Sequence, residues 1–433
     1  MSGPTKRVVI TGLGIVSPIG NDLATVWEHL QGGKSGIGPW QQLPAGALPV
    51  SFGAEARDFT GQIDDYGELD KPLQRAIKKN MKVMCREIEM GVAASQKALQ
   101  HSGLQEVDPD RAGCVFGSDY ILTRPEEFAD AVRACREAGG GKFDARDWPQ
   151  HGLPKVGPLW LLKYLPNMPN SHVSIYNDFR GPNNAITVRE ASMHLAVAEA
   201  ASIIRRGAAD VMVVGCTGSR VHPMRSVNEM KAFPVASDRD PPSAMARPFD
   251  QHAAGIVLGE AAAAIVLESD EHAQQRQARQ WGEVVGAASR LGTGNPPQIY
   301  DAIVGSLHDA LHSVGPRWPS TWHVSAHGWS IPEVDRQEAA AIAHLLATQR
   351  DVTVVCPQSF YGNLGAGGGG VALIASLLAL HHRQLFPTLN LDNPIPEARW
   401  TAASGGEPAG DGFLTVAHTL HGQTCALAIL KSD

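Results

Sequence analysis

The 433-residue chain has only six cysteines, Cys85, Cys114, Cys135, Cys216, Cys356 and Cys425, and no two of them stand in a CxxC pair or at a metal-ligand spacing. That excludes a disulfide framework and a zinc module, and no resident metal or cofactor is expected. Free thiols in a reducing cytoplasm are the expectation. Cys114 in AGCVFGS and Cys356 in VTVVCPQ lie in apolar runs, where an inert core thiol is the reading. No stretch approaches the roughly 20 apolar residues needed to span a bilayer. The run after Lys6 and Arg7 is broken by Gly12, Gly14 and Pro18, so neither a signal peptide nor a membrane anchor is expected. Charged residues are 19% of the chain and the formal charge is −7, spread without a basic stripe, so nucleic acid is not an expected partner.

What remains is an apolar share of 43% in a chain longer than the ~250 to 300 residues at which one core stops growing. Two packed lobes follow. RVVITGLG at 7–14 reads as a buried strand feeding a turn. Residues 81–101 show apolar spacings of three and four and close on Ser102-Gly103, an amphipathic helix with its C-cap. Further along come strand AGCVFGS, a helix over 124–139, strand NAITV at 184–188, a helix over 191–206, and strands VMVVG at 211–215 and AAAIVLES at 262–269. From about residue 283 the same order returns, with EVVGAAS, a helix over 300–313, WHVSAHG, a helix over 334–347, VTVVC, a helix over 366–382, then FLTVAHTL and CALAIL. This predicts an α/β fold built by duplication, with halves at 1–270 and 271–433. ASMHLAVAEAASIIRRG and AGGGGVALIASLLALHH carry small residues on nearly every face, which places both helices at the centre. Residues 140–170 and 218–246 read as additions, the first a partner-contacting excursion and the second lying over the mouth of a site.

Three positions draw attention as chemistry. Glu190 follows strand NAITV at a strand-to-helix corner, where a side chain projects from a sharp turn and the first helical amides favour negative charge. An ordinary first-turn glutamate reads equally well. His327 stands at the end of strand WHVSA and is followed by a glycine, a place where α/β sheets commonly hold ligands. YGNLGAGGGG at 361–370 opens the second central helix, but without GxGxxG after a strand or a Walker lysine it does not point to a nucleotide.

In order and spacing, RVVITGLGIVSPIGND, RGPNNAIT, GAADVMVVG, ARPFDQHAAGIVLGEAAAAIVLE, HGWSIPEVDRQE, SFYGNLGAGGGGVAL and PTLNLDNP closely resemble the β-ketoacyl-acyl-carrier-protein synthases of fatty acid and polyketide synthesis. The resemblance runs from about residue 6 to the C-terminus. It implies a thiolase-like five-layered αβαβα fold, a dimer, and an acyl-carrier protein as partner presenting acyl groups on phosphopantetheine. By position, the family's cysteine becomes Glu190, its first histidine stays as His327 and its second becomes Asn363. The usual lysine becomes Gln358, the two pantetheine threonines become Trp329 and Ile331, and Thr419 fills the gatekeeper slot beside His421. Cys216, some 26 positions beyond the corner, is not promoted to nucleophile.

A carboxylate would give a mixed anhydride rather than a thioester, so ordinary condensation is not expected. The leading expectation is decarboxylation of malonyl-carrier protein, with His327 and Asn363 as donors to the enolate. An ionised Glu190 about 4 Å from the malonyl carboxylate would oppose this by about 4 kcal/mol. The alternatives are a non-catalytic, chain-length-factor-like partner in a heterodimer with an active ketosynthase, and an altered acyltransferase with Glu190 as general base.

Overall fold

The computed structural model describes every residue except 1–5, 45, 47, 238–240, 295–296, 349–351 and 433. Its frame is two five-stranded units with one connectivity. The first contains β1 (Val8–Val16), β2 (Ala112–Ser118), β3 (Asn183–Ile186), β4 (Val211–Ser219) and β5 (Glu260–Ser269). The second contains β6 (Gly282–Leu291), β7 (His323–Ser325), β8 (Thr353–Val355), β9 (Gly412–His418) and β10 (Gln423–Leu430). The spatial order is β3-β2-β4-β5-β1 in one and β8-β7-β9-β10-β6 in the other, with the first three strands parallel and the last two antiparallel in each. The duplicated order expected from the sequence is present strand for strand. Among the described residues the units pair edge to edge at Val9 opposite Glu283 and Ile10 opposite Gly282, which makes one continuous sheet of hydrogen bonds.

Burial on both faces explains the strand sequences. β1, β2, β4, β5 and β9 are buried at every position, which near-continuous Val, Ile, Ala and Gly runs permit and an alternating polar pattern would not. One outer layer is α1 (Arg86–Ser102) on β1, β4 and β5. It ends at Gly103 with φ of 64°, the left-handed cap anticipated at Ser102-Gly103. The central layer is α2 (Ser192–Arg205) and α5 (Gly368–His382), each touching strands of both units. The other outer layer is α3 (Tyr300–His312) on β6, β9 and β10, backed by α4 (Pro332–Leu345). The layers therefore run αβαβα.

Two expectations are corrected by the structure. Gly365–His382 is 18 residues long and apolar enough to cross a bilayer by length and composition, although the sequence seemed to hold no such stretch. It is 89% buried, a core helix whose apolar faces meet sheets on both sides. The segment 218–246, expected as an excursion over the mouth of a site, contains regular structure. Ser219 ends β4, and Pro223–Ala232 forms a helix whose N-cap His222 accepts from the Met224 and Arg225 amides. Charge is also less evenly spread than the sequence suggests, because the helix Lys71–Asn80 and the turn Met81–Val83 gather Lys71, Arg75, Lys78, Lys79 and Lys82 on exposed positions.

Candidate functional site

Strand ends deliver the site. Asp119 follows β2, Arg220 follows β4, His327 follows β7 and Gln358 follows β8, so four C-terminal strand ends converge where parallel α/β sheets hold ligands. Glu190 arrives from the corner after β3. Arg189 there takes φ of 49°, a left-handed conformation costly for a side chain with a Cβ, and turns the chain into the 3-10 segment Arg189–Ala191 that opens α2. The Val188 amide donates to Ser192 Oγ at 2.9 Å, which ties the corner down. Asn363 lies on the loop before α5, held by its amide on the Val257 carbonyl at 2.8 Å and its carbonyl on the Gly259 amide at 3.0 Å.

Glu190 does not point to solvent. It is 1% exposed, and its Oε1 accepts from Arg220 Nη2 at 2.6 Å and from Asn363 Nδ2 at 3.3 Å. Arg220 is fully buried and its other donors are also used, Nη1 on Asp119 Oδ2 at 2.7 Å and Nε on Asn363 Oδ1 at 3.2 Å. Arg225 Nε donates to Glu229 Oε1 at 2.7 Å and Nη2 to Asp119 Oδ1 at 3.3 Å, while Arg189 Nη2 donates to Glu229 Oε2 at 2.9 Å. Three guanidinium groups thus face three carboxylates. The cluster is electrically balanced, as a buried ionic group must be to avoid a large desolvation cost. Burial alone would raise the Asp119 pKa, but Arg220, Arg225 and Arg189 outweigh it and hold the carboxyl below its usual value. For Arg220 burial pulls the pKa down, yet Asp119, Glu190 and Glu229 raise it above the usual arginine value. Gly365 permits the close approach. A Cβ there would lie 2.7 Å from Arg220 Nη1 and in collision with Asp119 Oδ2.

A second buried carboxylate positions the histidine loop. Glu338 Oε1 accepts from the His327 amide at 2.6 Å, and Oε2 accepts from the Gly328 amide at 2.8 Å and from His418 Nε2 at 2.9 Å. Burial pushes the Glu338 pKa up, but His418 and these donors more than reverse it. Asp335 accepts from the Trp329 and Phe249 amides, yet burial pushes its pKa up to about 7. Burial presses the His327 imidazole down to about 3, with His418 adding to the effect. Gln358 Nε2 lies 3.2 Å from His327 Nδ1, so with the amide as donor Nδ1 accepts and the ring proton sits on Nε2.

The structure brings Glu190, His327, Asn363, Trp329 and Gln358 around one cavity, together with Gly328, Ser330 and Leu364. Thr419 and His421 do not line it. Thr419 Oγ1 donates to Gln423 within its own hairpin, and the exposed His421 ring reaches only Phe233, 6.3 Å away. The cavity measures about 10 Å³, room for about one water. Sequence reasoning missed Arg220, Asp119, Arg225 and Glu229. Arg220 directly after the apolar run VMVVGCTGS was the available signal, since a buried strand rarely ends on a cation without a partner.

The sequence matches the β-ketoacyl synthase N-terminal domain over residues 5–273 and the β-ketoacyl synthase C-terminal domain over residues 282–392. The chain belongs to the β-ketoacyl synthase family. One relative is 3-oxoacyl-[acyl-carrier-protein] synthase 2 of Vibrio cholerae, 30% identical over 396 residues, which are 90% of this chain and 89% of that protein. Among solved structures, a type II polyketide synthase acyl-carrier protein in complex with its ketosynthase bound to the hexaketide aligns at a TM-score of 0.83 and 20% identity, covering 99% of this chain and 100% of that one. The ishigamide ketosynthase/chain length factor aligns at 0.81 and 22% identity, with the same coverage. The thiolase-like ketosynthase fold read from the sequence is therefore the fold observed.

Proposed function

We propose that this β-ketoacyl synthase relative acts as a non-catalytic, chain-length-factor-like subunit that pairs with a cysteine-bearing ketosynthase. One observation carries the reading: the position that the resemblance equates with the nucleophile is a carboxylate locked to Arg220, beside a cavity of about 10 Å³. A carboxylate held by a buried guanidinium is a poor nucleophile and a poor general base, because either role draws negative charge away from an ion pair that is sealed from bulk water. Asn363 commits one of the two N–H donors of its side-chain amide to Glu190 and its amide oxygen to Arg220, which fixes its orientation toward the ion pair.

Malonyl decarboxylation keeps one supporting feature. His327 holds its proton on Nε2 and lines the cavity, the state a donor to a thioester carbonyl requires. For that reaction the cavity must open to admit the malonyl group, and the bond between Asn363 and Glu190, both on its wall, would have to yield.

Co-expression with a cysteine-bearing ketosynthase and a carrier protein tests the proposal. The expected outcome is a 1:1 heterodimer whose products change length when this subunit is exchanged. Assembly only with itself, together with release of acetyl-carrier protein from malonyl-carrier protein that Glu190→Ala alters, would replace the proposal with the decarboxylase reading.

A further inference from the structure

β1 pairs with β6 at Val9 and Ile10, and beyond that pairing it meets a side chain instead: the Leu13 amide donates to His101 Nδ1 at 3.0 Å. Beside this stretch lies a cleft of about 1060 Å³, floored by Leu13, Gly14, Ile15, Leu23 and Leu378. It shares no lining residue with the cavity at Glu190. Its volume suits an organic molecule rather than a water or an ion.

One wall of the cleft is a run of five rings. Trp27 stacks on His382 with centroids 4.4 Å apart, His382 meets His381 at 4.8 Å, His381 meets Trp281 at 4.9 Å, and Trp281 meets His101 at 5.0 Å. Such a wall offers flat apolar surface to a flat ligand. Donors without acceptors gather at its Trp281 end. Trp281 is 8% exposed, and its Nε1 makes no hydrogen bond among the described residues. Because His101 Nδ1 accepts from the Leu13 amide, the proton of the neutral ring sits on Nε2. Arg279 lies 4.3 Å over the Trp281 ring and donates to His381, with no carboxylate in ion-pair distance among the described residues. Partial burial lowers the pKa of His101 and of His381, and Arg279 lowers both further, so neither ring competes with it as a cation. A guanidinium and two N–H groups together call for an anionic acceptor.

The opposite sign is left over elsewhere in the cleft. Of its five carboxylates, Asp22 is spent on Thr25 at the start of its helix, and Asp65 is spent on Thr60. Lys97 donates to the Asn21 carbonyl at 2.9 Å and lies in the field of the same two carboxylates. Glu28, Asp58 and Asp64 remain, exposed and without an ion pair or side-chain hydrogen bond among the described residues. Lys97, beside Asp65, and His101, beside Arg279, stand one turn apart on α1, about 6 Å along its axis. The two signs are therefore segregated along the cleft rather than mixed. An aromatic anion would face the unspent carboxylates, and an aromatic cation would leave Arg279 unanswered.

We propose that this cleft binds a small aromatic zwitterion, its ring along the five-ring wall, its carboxylate on Arg279 and Trp281, and its ammonium among Glu28, Asp58 and Asp64. The site is separate from the one at Glu190, and the proposal does not depend on the subunit reading given above.

Three probes that share an indole separate the charges: tryptophan carries both, indole-3-propionate only the negative one, and tryptamine only the positive one. Each is titrated into the full-length chain, with binding followed by calorimetry and by saturation-transfer NMR. Tryptophan is expected to bind about threefold or more tightly than either analogue, the gain that one partly exposed ion pair provides. Arg279→Gln should weaken tryptophan and indole-3-propionate by about threefold or more and leave tryptamine within about twofold. Glu28→Gln, Asp58→Asn and Asp64→Asn together should weaken tryptophan and tryptamine and spare indole-3-propionate. All four side chains are exposed, so these variants should melt as the unsubstituted protein does. Lys231→Gln, on a helix outside the cleft, should change no affinity by more than about twofold. Equal affinity for the three probes overturns the proposal, as does the absence of binding in the millimolar range. A substitution that weakens all three probes alike, or none of them, overturns it as well.

Discussion

Removing Arg220 should expose how tightly the buried cluster is balanced. Three arginines, Arg189, Arg220 and Arg225, meet Asp119, Glu190 and Glu229, and Arg220 alone touches both Asp119 and Glu190 within 2.7 Å. Arg220→Met keeps much of the volume but leaves one carboxylate uncompensated in the interior, a defect of about 3 to 5 kcal/mol. Glu190→Gln leaves the opposite imbalance while retaining an acceptor, for about 1 to 3 kcal/mol. The double variant restores neutrality, so it should be less destabilised than the sum of the singles by about 1 to 3 kcal/mol. With an unfolding entropy of about 2.1 cal/mol/K per residue, 433 residues give about 0.9 kcal/mol/K, and Arg220→Met should lower Tm by about 3 to 5 °C. Scanning calorimetry of the four proteins, with enthalpies compared to confirm one transition, reads the cycle. Additivity of the singles to within about 0.5 kcal/mol would refute the idea that the cluster acts as one charge-compensated unit.

Other outcomes are equally definite. Glu190→Cys alone should not confer condensing activity in a radiolabelled malonyl assay, since Asn363 and Gln358 remain and the cavity stays about 10 Å³; turnover above the unsubstituted protein would contradict this. Glu338→Ala removes the acceptor for the His327 and Gly328 amides and for His418, and should cost about 2 to 4 kcal/mol in a denaturant titration. Gly328→Ala should destabilise by about 1 to 3 kcal/mol, because φ is +67° there and the new Cβ would lie 2.7 Å from Cys356 Sγ and 2.6 Å from Pro248 Cβ. A high-resolution crystal structure should show one ordered water in the 10 Å³ cavity, because Glu190 Oε2, Trp329 Nε1 and Gln358 Oε1 among its lining residues make no hydrogen bond among the described residues. On acidification, His194 and His327, held down to about 3, and His323, held down to about 4, all favour the unfolded state, which binds their protons from pH 6.5 downward. Asp335, raised to about 7, works the other way over the same window. These four groups together take up a net of two protons on unfolding and so contribute a fall in stability of about 2.7 kcal/mol for each pH unit between about 6 and 4, to which His172 and His222, held down to about 4, add and which Glu89, raised to about 7, opposes. Stability that is flat there would show that the imidazoles are not buried as described.

The sequence spoke most clearly where one face of an element decides its pattern. β1 and α1 are delimited by a β-branched run and by the glycine cap at 103, both local signals, and the two central helices are betrayed by small residues all round. The corner at Glu190 and the strand-end His327 were also visible, because each follows directly on an apolar strand. The partners of Glu190 were not. Asp119 and Arg220 lie 71 and 30 residues away along the chain, and an ion pair between strand ends leaves no periodicity to read. Helix Pro223–Ala232 was hidden for another reason: its sequence PMRSVNEMKA is mostly polar, and its buried Arg225 and Glu229 look like surface residues until their counter-charges are placed. The gathering of Lys71 to Lys82 escaped notice because a chain-wide charge balance averages over exactly the local excess that a single helix face concentrates.

Among the described residues two residue pairs, at Val9 and Ile10, stitch the two sheet units together, while Asp119, Glu190 and Arg220 come from one unit and His327, Gln358 and Asn363 from the other. So thin a hem cannot fix the span across the pocket by itself. The distance is gauged instead by α2 and α5, packed like a shim between the sheets, with Arg220 reaching across to Asn363 as a latch. Any change in the girth of those helices, even a single methyl on their glycine and alanine faces, should therefore be registered first as slack or strain at that latch.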